Sequence, residues 1–184
     1  MGATIGRMGL RAPVGHEIGS TGLDGAVDSK TLYAGDKMFR PEVFFVGRTE
    51  GSGIVRDPFG RVIRRCDIVT EGTADPSRQT IQLTETFTYD DGEVDVWRWV
   101  MTHARDGRYV AAESQAGAGI TGQRVGDEYS LSFSRPTGAA RGVASPRYAT
   151  RFTMLAQDVA LKSVRVSLFG LPIGAMTAIH RRVD

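Results

Sequence analysis

The stretch FFVGRTEGSGIVRDPFGRVIRR, residues 44–65, decides the fold. Within it, Asp57-Pro58-Phe59-Gly60 has the residue order of a type I turn, because proline fixes φ at the second position and glycine occupies the fourth. The segments on either side are therefore expected to pair. The first contains Gly47, Gly51 and Gly53, and glycine inside a strand indicates a bend, a bulge or close backbone approach. Because strongly bent strands allow a sheet to close on itself, we expect a barrel.

The composition indicates a single domain without a polyionic partner. The chain has 184 residues, and 23 Lys and Arg residues against 21 Asp and Glu residues give a net charge of +2. We therefore expect no nucleic-acid partner, and peripheral membrane contact remains open but without support from the sequence. Cys66 is the single cysteine, which excludes an intrachain disulfide. No signal peptide, lipoprotein signal or membrane-length apolar run is recognisable, so we expect a cytoplasmic protein.

Short alternating runs predict an all-β domain. Residues 1–35 are rich in glycine and small polar residues and lack both helical and strand periodicity, so we interpret them as an irregular N-terminal arm. Over residues 36–184, apolar and polar residues alternate in short runs separated by Gly, Asp and Pro. These runs amount to about ten strands, which favours a single antiparallel up-and-down β-barrel, with a two-sheet sandwich as the alternative.

The best-defined hairpin joins the predicted strands Gln79–Tyr89 and Glu93–His103. The apolar face of the first strand consists of Ile81, Leu83, Phe87 and Tyr89, with Glu85 in its middle. A two-residue turn would place Arg98 opposite Glu85. A three-residue loop with Gly92 in the left-handed conformation would instead add Trp97, Trp99 and Met101 to the apolar face. We predict the second register, because two exposed tryptophans would leave far more apolar area in water than exposed valines.

Glu85 is the candidate for chemistry inside the barrel. Loss of water around its carboxylate would raise its proton affinity, as a general acid or base requires. The structural interpretation is that it pairs with an arginine, or accepts a hydrogen bond from a tryptophan or tyrosine, and stabilises the barrel. Both interpretations place Glu85 in the interior.

The histidines show no catalytic or metal-binding pattern. There is no G-x-S-x-G motif, and His16, His103 and His180 lack the spacing of metal ligands, so we expect no metal and no cofactor. His180 alternates with Met176 and Ala178 on the last predicted strand, which would allow it to serve as an axial haem ligand. A histidine in water at the rim of the barrel is the simpler interpretation.

Four segments together resemble the DUF3833 family of bacterial proteins of unknown function. They are FFVGRTEGSGIVRDPFGRVIRR (44–65), LTETFTYDDGEVDVWRW (83–99), GRYVA (107–111) and SLFGLPIGAMTAIHRR (167–182). The resemblance implies a calycin-type, lipocalin-like barrel over residues 40–182. Glu85 matches the family pattern, whereas Lys162 stands where asparagine is usual and Leu168 stands where lysine is usual.

We therefore predict an uncharacterised lipocalin-like barrel that binds a small apolar, lipid-like or acyl-like molecule without catalysis. One alternative is an enzyme that uses Glu85 as general acid or base on such a ligand. The others are a haem-binding barrel and a structural protein whose interior is filled by its own side chains. The predicted ligand-binding residues are Glu85, Phe87, Tyr89, Trp97, Trp99, Met101, Tyr109 and Glu113.

Overall fold

The computed structural model describes residues 38–136 and 145–183, which form a closed barrel. A short helix, α1 (Pro41–Phe44), precedes the strands. These are β1 (Gly47–Arg56), β2 (Val62–Asp75), β3 (Thr80–Tyr89), β4 (Val94–His103), β5 (Arg108–Glu113), β6 (Gly117–Val125), β7 (Glu128–Ser134), β8 (Arg147–Ala156), β9 (Val159–Leu168) and β10 (Leu171–Arg182). Sequential strands pair antiparallel and β10 pairs with β1, so the predicted up-and-down barrel is confirmed. The predicted arm, residues 1–35, lies outside the described residues.

Two predicted turns fix the register of the first four strands. In the β1–β2 loop, the Gly60 N–H donates to the Asp57 carbonyl at 3.0 Å, and Gly60 has a φ of 85°. The Asp57 carboxylate accepts bonds from the backbone N–H groups of Phe59 and Arg61, each at 2.9 Å. In the β3–β4 loop, residues 90–92 form a three-residue connection that ends with Gly92 at a φ of 84°. The prediction of a three-residue loop is therefore correct.

This register places both tryptophans in the interior. Glu85 lies opposite Trp97 across the β3–β4 ladder, and both indoles are buried, whereas Arg98 is exposed. The burial argument for the tryptophans is confirmed. Cys66 on β2 is buried, and this burial raises the pKa of its thiol.

Aromatic side chains close the end of the barrel at which β1 begins, here called the lower end. Phe39, Phe44 and Phe45, on α1 and its flanks, are buried against one another, with ring centroids 5.2 to 5.8 Å apart. The Phe39 ring also stacks on that of Tyr129, with the centroids 5.9 Å apart. The backbone N–H of Phe39 donates to the Gly126 carbonyl at 3.1 Å. The lower end is therefore closed mainly by apolar contact.

Two further contacts attach α1 to the strands. The Tyr109 hydroxyl donates to Oε2 of Glu42 at 2.7 Å. The chain after α1 passes so close to β2 that a β-carbon at Gly72 would overlap the carbonyl oxygen of Phe45. Glycine at this position is therefore a requirement of the closure. The opposite end, where β1 ends, is here called the upper end.

Candidate ligand site

A buried ion pair joins β3 and β9 across the barrel interior. Nζ of Lys162 donates a hydrogen bond to Oε1 of Glu85, and both side chains are almost completely shielded from water. Glu85 has the inward phase of β3, and Lys162 alternates with the buried residues Ala160 and Val164 on β9. The predicted interior position of Glu85 is correct. Its partner is a lysine, and not the arginine, tryptophan or tyrosine that we expected.

Three aromatic rings surround the Lys162 ammonium group. Nζ lies 4.8 Å from the ring centroid of Phe87, 5.3 Å from that of Phe152 and 5.7 Å from that of Trp97. The rings and the carboxylate thus replace the water that an exposed ammonium would bind. An ammonium has three N–H donors and Glu85 accepts one of them. The other two N–H groups are surrounded by the aromatic rings.

The pair lines an internal cavity of about 30 Å³. Thr150 on β8 adds a third polar group to its wall, and its buried Oγ1 has no hydrogen-bond partner among the described residues. The remaining wall is apolar and includes Leu83, Trp97, Trp99, Met101, Leu131 and Phe133. A cavity of this size holds one or two water-sized groups, so side chains fill most of the space around the pair.

An ionic cluster covers the aromatic core at the upper end. Arg135, directly after β7, donates two hydrogen bonds to the Asp95 carboxylate, at 2.9 and 3.1 Å. Nε of Arg135 lies 3.4 Å from Oε2 of Glu113, which is an ionic contact rather than a hydrogen bond. The guanidinium carbon lies 4.7 Å from the Trp97 ring centroid, and the Trp97 indole N–H donates to Asp95 at 2.7 Å. We call Arg135, Asp95 and Glu113 the upper ionic cluster.

Glu113 is held in place by its own turn. Its carboxylate accepts hydrogen bonds from the Ser114 hydroxyl at 2.8 Å and from the N–H groups of Gln115 and Ala116, at 2.9 and 2.8 Å. These bonds satisfy a buried carboxylate without help from a cation. Arg135 can therefore leave the cluster without leaving Glu113 unpartnered.

The predicted ligand-binding residues do not form one cluster. Those that line the cavity are Glu85, Trp97, Trp99 and Met101, with Phe87 next to them against Lys162. Tyr89 lies further up, with the Arg64 guanidinium 3.7 Å from its ring centroid, and burial raises its pKa to about 12. Tyr109 lies at the lower end, where burial and the Glu42 carboxylate raise its pKa above its ordinary value. Glu113 belongs to the upper ionic cluster.

His180 is fully buried, so its interpretation as a rim residue in water is wrong. Its ring lies edge-on to Phe152 with the centroids 5.9 Å apart, and both ring nitrogens lack a hydrogen-bond partner in the described part of the chain. Burial, together with the positive charge of Lys162, lowers its pKa to about 3. The haem alternative has no support from this geometry, since His180 does not line the cavity.

Lys162, Arg135 and Asp95 were not among the predicted site residues. The sequence carries a signal for two of them, because Lys162 alternates with Ala160 and Val164, and Arg135 continues the alternation of Tyr129, Leu131 and Phe133. Strand phase does not show which strands face one another across the barrel. The pairing of Lys162 with Glu85, 77 positions away in sequence, therefore emerges from the structure.

Two other kinds of site are absent from residues 38–136 and 145–183. In these ranges no group of three or more His, Cys, Asp or Glu side chains is placed to hold a metal ion. The same ranges contain no helix of the length and apolarity needed to cross a membrane. Among the described residues, the titratable groups that line the cavity are Glu85, Lys162 and Tyr129.

A family profile matches residues 24–182, which include every described strand. Its description reads "Protein of unknown function (DUF3833)". The chain belongs to the DUF3833 family. The match confirms the resemblance in the sequence and begins within the first 35 residues of this DUF3833 protein. A search among curated proteins found no similar sequence.

Two solved structures share the barrel of this DUF3833 protein. The S-type phycobiliprotein lyase CPES from Guillardia theta aligns with a TM-score of 0.57 and 12% identity, over 81% of this chain and 96% of the lyase. A DUF3598 family protein of unknown function from Nostoc punctiforme aligns with a TM-score of 0.54 and 9% identity, over 79% of this chain. This alignment spans 50% of the Nostoc protein. At these identities the likeness concerns the fold alone.

Proposed function

We propose that this DUF3833 protein binds a small apolar molecule with one polar head group and does not catalyse a reaction on it. The buried Glu85–Lys162 pair carries the proposal, since it adds a donor and an acceptor to an otherwise apolar interior. In the complex, the head group lies at Glu85, Lys162 and Thr150, and the apolar part lies among the aromatic side chains. An apolar wall with a few convergent polar groups is typical of ligand sites.

Stability alone does not explain the ion pair. Removal of a carboxylate and an ammonium from water costs several kcal/mol per ion, and the attraction between the two charges seldom exceeds that cost. Two apolar side chains of similar size in the same places are often neutral or more stable. The pair therefore favours an explanation through function.

Thr150 supports the same location for the head group. A buried hydroxyl without a partner costs about 1–3 kcal/mol, and a ligand oxygen or N–H in the cavity would remove that cost. The N–H groups of Lys162 that Glu85 does not accept are suitable donors for an oxygen of the ligand. A carboxyl, carbonyl or hydroxyl head group satisfies both requirements.

The interior must widen to accept such a ligand, because the cavity of about 30 Å³ has room for the head group at most. Opening of the upper ionic cluster costs less free energy than opening of the lower end. When Arg135 turns outward, it exchanges its bonds to Asp95 for bonds to water, and Glu113 keeps its three turn bonds. Opening of the lower end would instead expose the buried rings of Phe39 and Phe45.

The two tryptophans provide a test within the chain. Trp97 and Trp99 are its only tryptophans and both line the cavity, so intrinsic fluorescence reports on the interior. cis-Parinaric acid, a polyene fatty acid that absorbs where tryptophan emits, is a suitable probe. We expect saturable quenching of the tryptophan emission during a titration, and a native mass spectrum with one probe per chain.

Matched variants show whether the probe occupies the proposed position. Glu85→Gln combined with Lys162→Met removes both charges at nearly constant volume, and we expect about tenfold weaker binding from the loss of a charged hydrogen bond to the head group. Val100→Ser changes the exposed face of β4, between Trp99 and Met101, and should bind like the wild type. Absence of quenching in the wild type would show that the interior stays filled and that the barrel is structural. Equal binding by the double variant would place the probe elsewhere.

Catalysis by Glu85 has less support than binding. Lys162 is in direct contact with the Glu85 carboxylate, so the pair is not arranged across an open space that could hold a substrate. In the same native mass spectra, recovery of a probe of altered mass would overturn the non-catalytic assignment.

A further inference from the structure

Two neighbouring hairpins at the upper end carry apolar side chains that the core does not use. The chain has eight phenylalanines, and six of them are buried. The other two, Phe59 and Phe169, lie at the tips of the β1–β2 and β9–β10 hairpins and are 84% and 78% exposed. Because β1 pairs with β10, these tips lie side by side. Leu171 and Ile173 extend the apolar surface below the second tip, and both are exposed.

Phe169 has a backbone conformation that an aromatic residue rarely adopts. Its φ is 52° and that of Gly170 is 81°, and Leu168 pairs directly with Leu171, which identifies a two-residue type I′ turn. Asparagine or glycine is preferred at the first position of this turn, because the left-handed conformation crowds a β-carbon. An exposed phenylalanine there makes the hairpin less stable than it could be. Strain of this kind, with exposed apolar area, favours a role outside the fold.

Arginines lie on the strands directly behind the tips. Arg56 ends β1, Arg165 lies near the end of β9, and Arg147 lies opposite Ser167 at the start of β8. None of the three forms an ion pair within the described ranges. The nearby carboxylate of Asp57 is already bound to Arg61 at 2.6 Å. The surface thus combines projecting aromatic rings with positive charge that the protein does not neutralise.

We propose that the upper end of the barrel docks on an anionic phospholipid bilayer. Phe59 and Phe169 insert between the head groups, and Arg56, Arg147 and Arg165 lie against the phosphates. Two projecting tips fit a deformable interface better than a rigid pocket, and aromatic rings partition into the bilayer interface. Anionic phosphates complement the unneutralised arginines. The proposal does not depend on ligand binding, but it places the upper ionic cluster on the membrane side.

Vesicle flotation of the full chain tests the proposal. We expect the wild type to float with mixed phosphatidylcholine–phosphatidylglycerol vesicles, and to bind less at high salt or to phosphatidylcholine alone. Phe59→Ser combined with Phe169→Asn should lower the partition coefficient by at least about tenfold, because two rings no longer leave water. Arg147→Gln combined with Arg165→Gln should lower it on the order of tenfold. Thermal melting confirms that each variant is folded, and Phe169→Asn alone should melt above the wild type.

Two control variants alter the lower end. Val125 is 70% exposed in the described structure and Arg78 is exposed in the β2–β3 turn, so Val125→Ser and Arg78→Gln should bind vesicles like the wild type. The proposal is wrong if the wild type does not float with the anionic vesicles, or if the double phenylalanine variant floats equally well. It is also wrong if the tips join two copies of the chain. In that case sedimentation velocity would show a dimer that the phenylalanine variant loses.

Discussion

The two ends of the barrel are closed by different chemistry. At the lower end, Phe39 and Phe45 are buried against each other and against Phe152, with ring centroids 5.1 to 5.8 Å apart. At the upper end, Arg135 lies over Trp97 and is bound to Asp95. Water can replace the partners of a guanidinium at small net cost, whereas it cannot replace the partners of a phenyl ring. From this difference we expect the barrel to open at its upper end rather than at its lower end.

The largest effect is expected at the lower end, from Phe39→Ala. This substitution should lower the free energy of unfolding by about 3–5 kcal/mol, because it removes a fully buried ring and leaves a cavity among four others. Urea denaturation followed by circular dichroism measures the loss. A loss no larger than that of an Arg135 variant would mean that the lower end is not the firmer closure.

Between the two ends, Glu85→Ala should lower the free energy of unfolding by about 2–4 kcal/mol, because it leaves the Lys162 ammonium buried without a counter-charge. Glu85→Gln keeps the shape and should fall between Ala and the wild type. Gln82→Ala, on the exposed face of the same strand, is the matched control. An unchanged denaturation midpoint for Glu85→Ala would contradict the buried pair.

His180 is expected to make the stability of the barrel depend on pH. Its pKa of about 3 in the folded protein lies below the ordinary value of 6.5, so the unfolded chain binds a proton that the folded chain excludes. Stability should therefore be unaffected by His180 above pH 6.5 and fall as the pH drops from 6.5 towards 3. We expect about 2 kcal/mol of loss at pH 5.

Denaturation of the wild type and of His180→Leu at pH 7 and pH 5 isolates this contribution. Other groups titrate in both proteins, so the difference between their pH dependences belongs to His180. Equal dependences would show that the imidazole accepts a proton in the folded state.

At the upper end, Arg135→Gln should lower the free energy of unfolding by about 1–2 kcal/mol, since water and the turn of Glu113 satisfy the remaining carboxylates. The same variant should take up cis-parinaric acid faster in stopped-flow fluorescence, because the opening step has become easier. An unchanged uptake rate would mean that the ligand enters by another route.

The smallest expected effect is a gain in stability. Phe169→Asn should raise the free energy of unfolding by on the order of 1 kcal/mol, because asparagine tolerates the left-handed conformation that Phe169 adopts. Thermal denaturation measures it, with Phe59→Asn as the control at the neighbouring tip, where φ is not positive. A destabilised Phe169→Asn would show that the ring packs on the fold.

The sequence predicts those features that one residue type or one turn can determine. The loops at Asp57 and Gly92 follow from backbone preference, and the inward position of Trp97 follows from its apolar area. Strand alternation likewise places Glu85 inside. These are local properties, so each can be deduced without the rest of the chain.

Features that depend on which elements meet across the barrel could not be deduced. Alternation gives the face on which His180 lies, but its depth follows from Phe152 and from the residues that cover the lower end. The Glu85–Lys162 pair depends on the curvature that brings β3 and β9 together. The closure by Phe39 and Phe45 depends on the short helix α1, which the strand-like alternation of residues 36–184 does not predict.

The pairing of β1 with β10 determines which step of folding comes last. Thr49 lies opposite Arg182, so the ladder that closes the barrel joins residues from the two extremes of the described chain. Contacts so distant in sequence carry the largest loop-closure entropy and form late. During synthesis, the open sheet from β1 to β9 has two unpaired edges until β10 has left the ribosome. Unpaired edges attract other strands, so this interval is when the protein is most exposed to aggregation.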